Sequence, residues 1–190
     1  MPPLLPDSSI TSATPSALIL SGLWSVTAGD LEAGRRALAR AGSAPGELAE
    51  DHGELLTWQK DLLVGLVAAG EERWDAVIAR LGPLAARTLT SPWGSRPLNQ
   101  LVRWTVANAY QRVGRLDSAS AHFRAIADWV GFTSDELALR GLTHSFAHQR
   151  LVVLYSRMGR LEDARRHWRI FSETFTRPCR GPGFLDKSAA

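Results

Sequence analysis

The sequence predicts an all-α protein built from repeated helix pairs. Three observations carry this prediction: the composition favours helices, one segment of the chain occurs twice, and two weaker copies of that segment lie upstream. Alanine, leucine and arginine are the most common of the 190 residues, whereas only two residues are tyrosine. Small and straight-chain residues stabilise helices, and β-branched and aromatic residues are enriched in strands.

The two clearest copies of the repeated segment are residues 109–119 and 154–164. Both contain a tyrosine, then after three residues Gly-Arg-Leu, an acidic residue, and an alanine two positions further on. An aromatic residue follows four positions after the alanine, Phe123 in one copy and Trp168 in the other. The copies are 45 residues apart, as Tyr110 and Tyr155 show.

Weaker copies occupy residues 28–38 and 69–81, the second with one residue inserted before Leu81. Each copy is predicted to contain a turn glycine, and these glycines are 41 to 45 residues apart: Gly29, Gly70, Gly114 and Gly159. Each copy also has a small residue after the turn: Gly34, Ala76, Ala119 and Ala164. Internal repeats of this length indicate a stacked architecture.

Each part of the repeat has a physical interpretation. The glycine can adopt the left-handed conformation that ends a helix, and the acidic residue lies near the positive end of the next helix dipole. The small residue allows two helices to approach closely, and the leucine or aromatic residue fills the space between neighbours. One helix pair cannot bury its apolar face alone, so the pairs are expected to stack.

The spacing of Ala107, Tyr110, Gly114, Ala119 and Phe123 resembles the tetratricopeptide repeat, as does the later set Tyr155, Gly159, Ala164 and Trp168. The resemblance covers residues 16–176 and implies a right-handed α-solenoid of about four helix pairs, near 16–42, 53–87, 96–129 and 135–176. Because the family repeat has about 34 residues, this one is longer, and HEAT-like repeats of about 40 to 47 residues are the alternative fold. Residues 135–158 contain no proline and are predicted to form one long helix.

The ends of the chain have a different composition. Residues 1–15 are rich in proline, serine and threonine, and residues 177–190 contain Gly-Pro-Gly, so both are predicted to be disordered. Met1 to Leu20 lacks the basic region of a secretory signal, and no apolar stretch reaches about 18 residues, so the cytoplasm is the expected location. Cys179 is the only cysteine, which excludes an internal disulfide. The last 45 residues or so are similar to tetratricopeptide regions of bacterial signalling regulators.

No phosphate-binding loop, dinucleotide fingerprint or nucleophile elbow is present in the sequence. His144 and His148 have a spacing that can bind a metal from one helix face, but Ser145 stands where a zincin requires glutamate, and no third ligand lies nearby. We therefore expect one histidine to pack between helices and the other to face solvent. The chain is predicted to have no catalytic residue, cofactor or metal, with a metal-dependent enzyme using His144 and His148 as the alternative.

The resemblance also implies a peptide-binding groove lined by the first helix of each repeat. In peptide-binding members of the family, asparagine and basic side chains there hold a terminal carboxylate. Trp104 stands where such a clamp would have lysine, so we expect an aromatic anchor and an arginine for an acidic group instead of a full clamp. The residues predicted to line the groove are Trp104, Asn108, Gln111, Arg112, Gln149 and Arg157.

These observations predict a protein- or peptide-binding scaffold without catalytic activity. The alternative is a sensor or oligomerisation tail of a larger bacterial signalling or transcriptional regulator, which would self-associate through its uncapped ends. The formal net charge is only +3 at a sequence pI of 9.6, and no module that interleaves aromatic and basic residues is present. Nucleic acid and membrane are therefore not expected partners.

Overall fold

The computed structural model describes residues 14–43, 50–86, 95–129 and 134–176, which form eight α-helices and no strand. The helices are α1 (Pro15–Thr27), α2 (Leu31–Ser43), α3 (Glu50–Gly70), α4 (Trp74–Ala86), α5 (Ser95–Arg112), α6 (Leu116–Ala127), α7 (Ser134–Arg157) and α8 (Leu161–Thr176). The all-α prediction is confirmed for this part of the chain. Residues 1–13 and 177–190, which the sequence predicts to be disordered, lie outside the described residues.

The ends of several helices follow from the local sequence. α1 begins at Pro15, whose fixed backbone angle suits the first helical position, and the amide of Ala17 donates to Oγ1 of Thr14 at 3.3 Å. α7 is continuous from Ser134 to Arg157, as the absence of proline predicts. Each of the four ranges predicted for the repeats overlaps two helices.

The four turns that follow α1, α3, α5 and α7 have the same backbone geometry. In each, the second residue after the helix has a positive φ: 96° at Gly29, 58° at Glu72, 79° at Gly114 and 72° at Gly159. The next helix begins two residues later in every case. A single left-handed residue therefore separates the two helices in all four places.

The same backbone hydrogen bond closes the turns at Gly29, Glu72 and Gly159. The amide of the residue after the left-handed position donates to a carbonyl five residues back: Asp30 to Ser25 at 2.9 Å, Arg73 to Ala68 at 2.9 Å and Arg160 to Tyr155 at 2.8 Å. This bond is the one that defines a Schellman motif, and it satisfies a carbonyl that the helix end would otherwise leave unpaired.

The structure corrects the prediction for the second repeat. The left-handed residue is Glu72 and not Gly70, so the intervals between these positions are 43, 42 and 45 residues. With Glu72 as the reference, Val77 and not Ala76 takes the place of the small residue, and Leu81 follows nine residues after the turn without any insertion. Gly70 instead allows the end of α3 to lie close to Leu31 of α2, because a Cβ on Gly70 would lie 2.3 Å from Cδ2 of Leu31.

The helices form two compact units, Met1–Val113 and Gly114–Ala190. In the first unit α1 contacts α2 and α3, and α3 and α4 contact α5. Gly22 brings three helices together, since a Cβ there would lie 2.7 Å from both Cβ of Ala37 and Cδ2 of Leu63. The largest fully buried side chains of this unit are Ile19, Trp58, Leu62, Leu63, Val77, Leu81 and Val102.

In the second unit α7 lies between α6 and α8 and contacts both. Its buried side chains come from one face of each helix, as expected for amphipathic helices. They include Ala119, Phe123 and Ile126 of α6, Ala147, Leu151, Leu154 and Tyr155 of α7, and Ala164 of α8.

An ion-pair cluster ties α2 to the turn that contains Glu72. Nε of Arg35 donates to Oε1 of Glu71 at 2.8 Å, and Nε of Arg73 donates to Oε2 of the same carboxylate at 2.7 Å. These two hydrogen bonds lower the pKa of Glu71 below its ordinary value. The cluster therefore holds the least favourable of the four turns against the neighbouring helix.

Replacing Glu72 by glycine is expected to raise the free energy of unfolding by about 1 kcal/mol, because a side chain in the left-handed region costs about 1 to 2 kcal/mol. Gly114→Ala is expected to lower it by about the same amount. Urea unfolding followed by circular dichroism measures both. The control is Glu72→Ala, which removes the charge but keeps the strained backbone; a gain for Glu72→Ala equal to that for Glu72→Gly would contradict this explanation.

Candidate functional site

Four of the six residues predicted to line a groove lie on α5 in the first unit. Trp104, Asn108 and Arg112 are spaced one turn apart and share a face of the helix, with Gln111 beside them. Trp104, Asn108 and Gln111 are half-buried, whereas Arg112 is exposed. Oε1 of Gln111 is buried and has no hydrogen-bond partner among the described residues, so this atom is not presented to a ligand at the surface.

Arg112 contacts an aromatic ring of its own unit. Its guanidinium carbon lies 5.5 Å from the centre of the Trp74 ring, at the start of α4. A guanidinium over an indole face is a favourable cation–π arrangement. The side chain expected to hold an acidic group is therefore already partly engaged within the protein.

The other two predicted residues, Gln149 and Arg157, lie exposed on α7 in the second unit. They belong to a larger set that we call the α7 face, which comprises Phe146, Gln149, Arg150, Val153, Ser156 and Arg157. All six are exposed, and helical spacing places them opposite the buried side chains Ala147, Leu151 and Leu154. Phe146 is 45% exposed and Val153 44%, so the α7 face presents large apolar side chains to solvent.

Charge on the α7 face has one sign. Residues 143–157 contain Arg150 and Arg157 and no acidic residue. Within the part of the chain that the structure describes, neither arginine forms an ion pair. Exposed apolar side chains next to unpaired guanidinium groups are suited to an acidic, partly apolar partner.

The sequence analysis missed Phe146, Arg150 and Val153. Their spacing with Arg157 is four, three and four residues, which marks one stripe along a helix. The sequence signal for this face is a second apolar stripe on a helix that also has a buried apolar stripe. The resemblance to other proteins, on which the predicted site residues rest, does not include this face of α7.

Three histidines meet in the interior of the second unit. His148 is 4% exposed, and its Nδ1 lies 2.7 Å from Nδ1 of His167 on α8. The His144 ring meets the His148 ring edge-on at 4.4 Å, and Tyr155 stacks on His167 at 5.4 Å. We call His144, His148 and His167 the histidine cluster.

The sequence predicts that one of His144 and His148 packs between helices and that the other faces solvent, without assigning the two roles; the buried one is His148. His144 is half-buried, and its Nδ1 lies 2.7 Å from the carbonyl oxygen of Ala127 at the end of α6. Because a carbonyl can only accept, the Nδ1 of His144 carries the hydrogen. His167, to which the sequence assigns no role, is the third member.

His148 and His167 both bind a proton more weakly than an ordinary histidine. Burial, with smaller contributions from the charges of His144, His167 and Arg166, lowers the pKa of His148 to about 4. Burial and then Arg166 also lower the pKa of His167.

Among the described residues, no group of three or more histidine, cysteine or acidic side chains is arranged to hold a metal ion. None of the helices described is both long and apolar enough to cross a bilayer.

Comparison of the chain with protein-family models, with curated proteins and with solved structures found no match. Its site is therefore interpreted from its own geometry.

Gln111→Met is expected to raise the free energy of unfolding by about 1 kcal/mol, because it removes a buried carbonyl oxygen without a partner. Gln149→Met is the matched control on an exposed position and should change stability by less than about 0.5 kcal/mol. Urea unfolding of both variants provides the measurement. A loss of stability in Gln111→Met alone would mean that the Gln111 amide contributes to the fold through hydrogen bonds.

Proposed function

We propose that this chain is a protein- or peptide-binding scaffold of four tetratricopeptide-like helix pairs, without catalytic activity of its own. Its binding surface is the α7 face. One observation carries the proposal: exposed Phe146 and Val153 alternate with the unpaired guanidinium groups of Arg150 and Arg157 along one stripe of the helix.

The repeat architecture is supported by the four turns, which each have a left-handed residue at the same position. Their left-handed residues recur at 42 to 45 residues, and a leucine or aromatic residue follows nine positions after each of them, at Leu38, Leu81, Phe123 and Trp168. Within each unit, successive helices pack side by side, as stacked helix pairs require. The longer repeat also fits HEAT-like units, but the recurring tyrosine, glycine, alanine and aromatic residue favours the tetratricopeptide form.

The partner that fits the α7 face is an acidic segment of another protein that also carries apolar side chains. Phe146 and Val153 are two helical turns apart, and so are Arg150 and Arg157. An apolar side chain of the partner would be buried against Phe146 and Val153, and carboxylates would pair with the two guanidinium groups. Gln149 adds an amide that can donate to or accept from the partner backbone.

The α5 residues take a smaller part in the proposal. Arg112 contacts Trp74, and the Gln111 oxygen is buried, which leaves Trp104 and Asn108 as half-buried candidates. The metal-dependent enzyme is less well supported, because the described residues contain no group of three or more histidine, cysteine or acidic side chains that could hold a metal ion.

Self-association as the tail of a larger bacterial regulator is a second candidate function. It is favoured by Leu20, 50% exposed, and Trp24, 73% exposed, which lie one turn apart on α1. α1 contains no charged residue, so a second copy could approach it without charge repulsion. Sedimentation velocity of the wild type and of Trp24→Glu tests this candidate: a dimer that the substitution dissociates would support it, and a monomeric wild type would exclude it.

Binding at the α7 face is tested by titrating the full chain with fluorescent synthetic peptides in which glutamate and leucine alternate at helical spacing. We expect saturable binding that weakens as salt is added, because ion pairs contribute to it. A peptide of the same sequence with lysine in place of glutamate is the negative probe. Equal binding of the two peptides would contradict the proposed charge recognition.

Charge-reversal variants on α7 and α8 identify which surface of the chain binds the peptide. Arg150→Glu/Arg157→Glu is expected to weaken binding of the glutamate peptide by tenfold or more, on the order of 1.4 kcal/mol. The matched control, Arg165→Glu/Arg169→Glu, makes the same change in net charge on exposed positions of α8 and should leave affinity nearly unchanged. Equal losses in the two double variants would show that net charge, and not the α7 face, determines binding.

A further inference from the structure

The contact between α7 and α8 contains a pair of ring nitrogens that can share only one hydrogen. Nδ1 of His148 and Nδ1 of His167 are 2.7 Å apart, within hydrogen-bond distance. One of the two must donate and the other accept. His148 is almost completely buried, and Tyr155 covers the other ring by stacking on it at 5.4 Å, so solvent does not substitute for this bond.

Added protons act on this contact in two steps. A first proton can enter at an Nε2 atom and leaves the bond between the Nδ1 atoms intact, but it places a charge in a buried site. A second proton puts hydrogens on both Nδ1 atoms, which then face each other without an acceptor. The first proton therefore leaves a charge-assisted bond at the cost of a buried charge, and the second proton removes the bond.

The groups around the pair do not neutralise added charge. On α8, Arg166 acts on both histidines, and Asp163 acts on His167. At the C-terminal end of α6, the charges that reach His167 are Arg124 and Asp128, one of each sign. On α7 the neighbours are His144, whose Nδ1 hydrogen is directed at Ala127, and the phenol Tyr155. Arg160, which follows α7, lies 4.6 Å from the Tyr155 ring and donates from Nε to Oδ2 of Asp163 at 2.8 Å.

We propose that His148 and His167 form an acid-sensitive latch that holds α8 against α7 at neutral pH and releases it when the pair is protonated. The proposal concerns the stability of one helix in the second unit and does not depend on what the chain binds. Release would expose the side chains of α7 that α8 covers, among them His148 itself.

The direction of the pH dependence follows from the two states. With α8 closed, the pKa of His148 is lowered from 6.5 to about 4, and that of His167 is lowered as well. With α8 open, both rings are hydrated and regain the ordinary value. The closed state binds protons more weakly than the open state. The stability that this difference gives the closed state relative to the open state is therefore complete above pH 6.5 and is lost as the pH falls toward 4. For His148 alone, linkage gives a fall of roughly thirtyfold in the ratio of closed to open chains between about pH 7.5 and about pH 5.

Hydrogen exchange of the full chain tests the latch. Protection factors, corrected for the intrinsic pH dependence of exchange, are expected to fall for α8 by roughly tenfold or more between about pH 7 and about pH 5. The helices α3 and α4 of the first unit serve as the internal reference. His148→Asn/His167→Asn removes both titrating groups and should abolish the extra pH dependence of α8, whereas the control His122→Asn, on α6, should retain it.

A second measurement does not require any variant to fold. Histidine side-chain resonances of the wild type, followed by NMR between about pH 4 and about pH 8, should show a pKa of about 4 for His148 and a lowered pKa for His167. The latch is refuted if these rings titrate at the ordinary value, or if α8 and the reference helices lose protection in parallel. It is also refuted if the double asparagine variant retains the wild-type pH dependence.

Discussion

The left-handed residue between two helices is the constraint on which the rest of this structure depends. It determines where one helix ends and the next begins, and the hydrogen bond from the following amide to a carbonyl five residues back holds that geometry. Its position along the chain also sets that of Leu81 and Phe123, which are buried between helices, whereas Trp168 at the same distance from Gly159 is 55% exposed. The second turn uses Glu72 at this position, and the Arg35–Glu71–Arg73 cluster lies beside it.

α7 has a different role from the other helices because it carries two functional surfaces on opposite sides. Toward α6 and α8 it contributes apolar side chains together with His144 and His148, and toward solvent it contributes the α7 face. The first surface stabilises the second unit, and the second leaves apolar area and positive charge uncovered.

The two surfaces also differ in how water affects them. Ion pairs formed on the α7 face would be screened by salt, so its recognition of carboxylates is expected to be weak for each pair and to depend on several contacts together. The histidine cluster lies in the interior, where a charge costs far more, and a single proton there matters more than a surface ion pair. Salt and pH are thus separate controls on this chain.

The helical class, the continuity of α7 and the positions of the four turns, to within two residues, are predictable from the amino-acid sequence. They follow from local composition, periodicity and the absence of proline. The sequence predicts Gln149 and Arg157 as binding residues, but it places them in a groove that only the resemblance to the tetratricopeptide repeat implies. Three other features become visible in the folded chain: the left-handed residue is Glu72 and not Gly70, Arg112 contacts Trp74, and His167 lies beside His144 and His148. Each of these depends on contacts between residues far apart in the chain, which single-sequence periodicity does not encode. Gly70 illustrates the reason: a glycine is favoured both where the backbone is left-handed and where a neighbouring helix lies close, and the contact with Leu31 distinguishes the two.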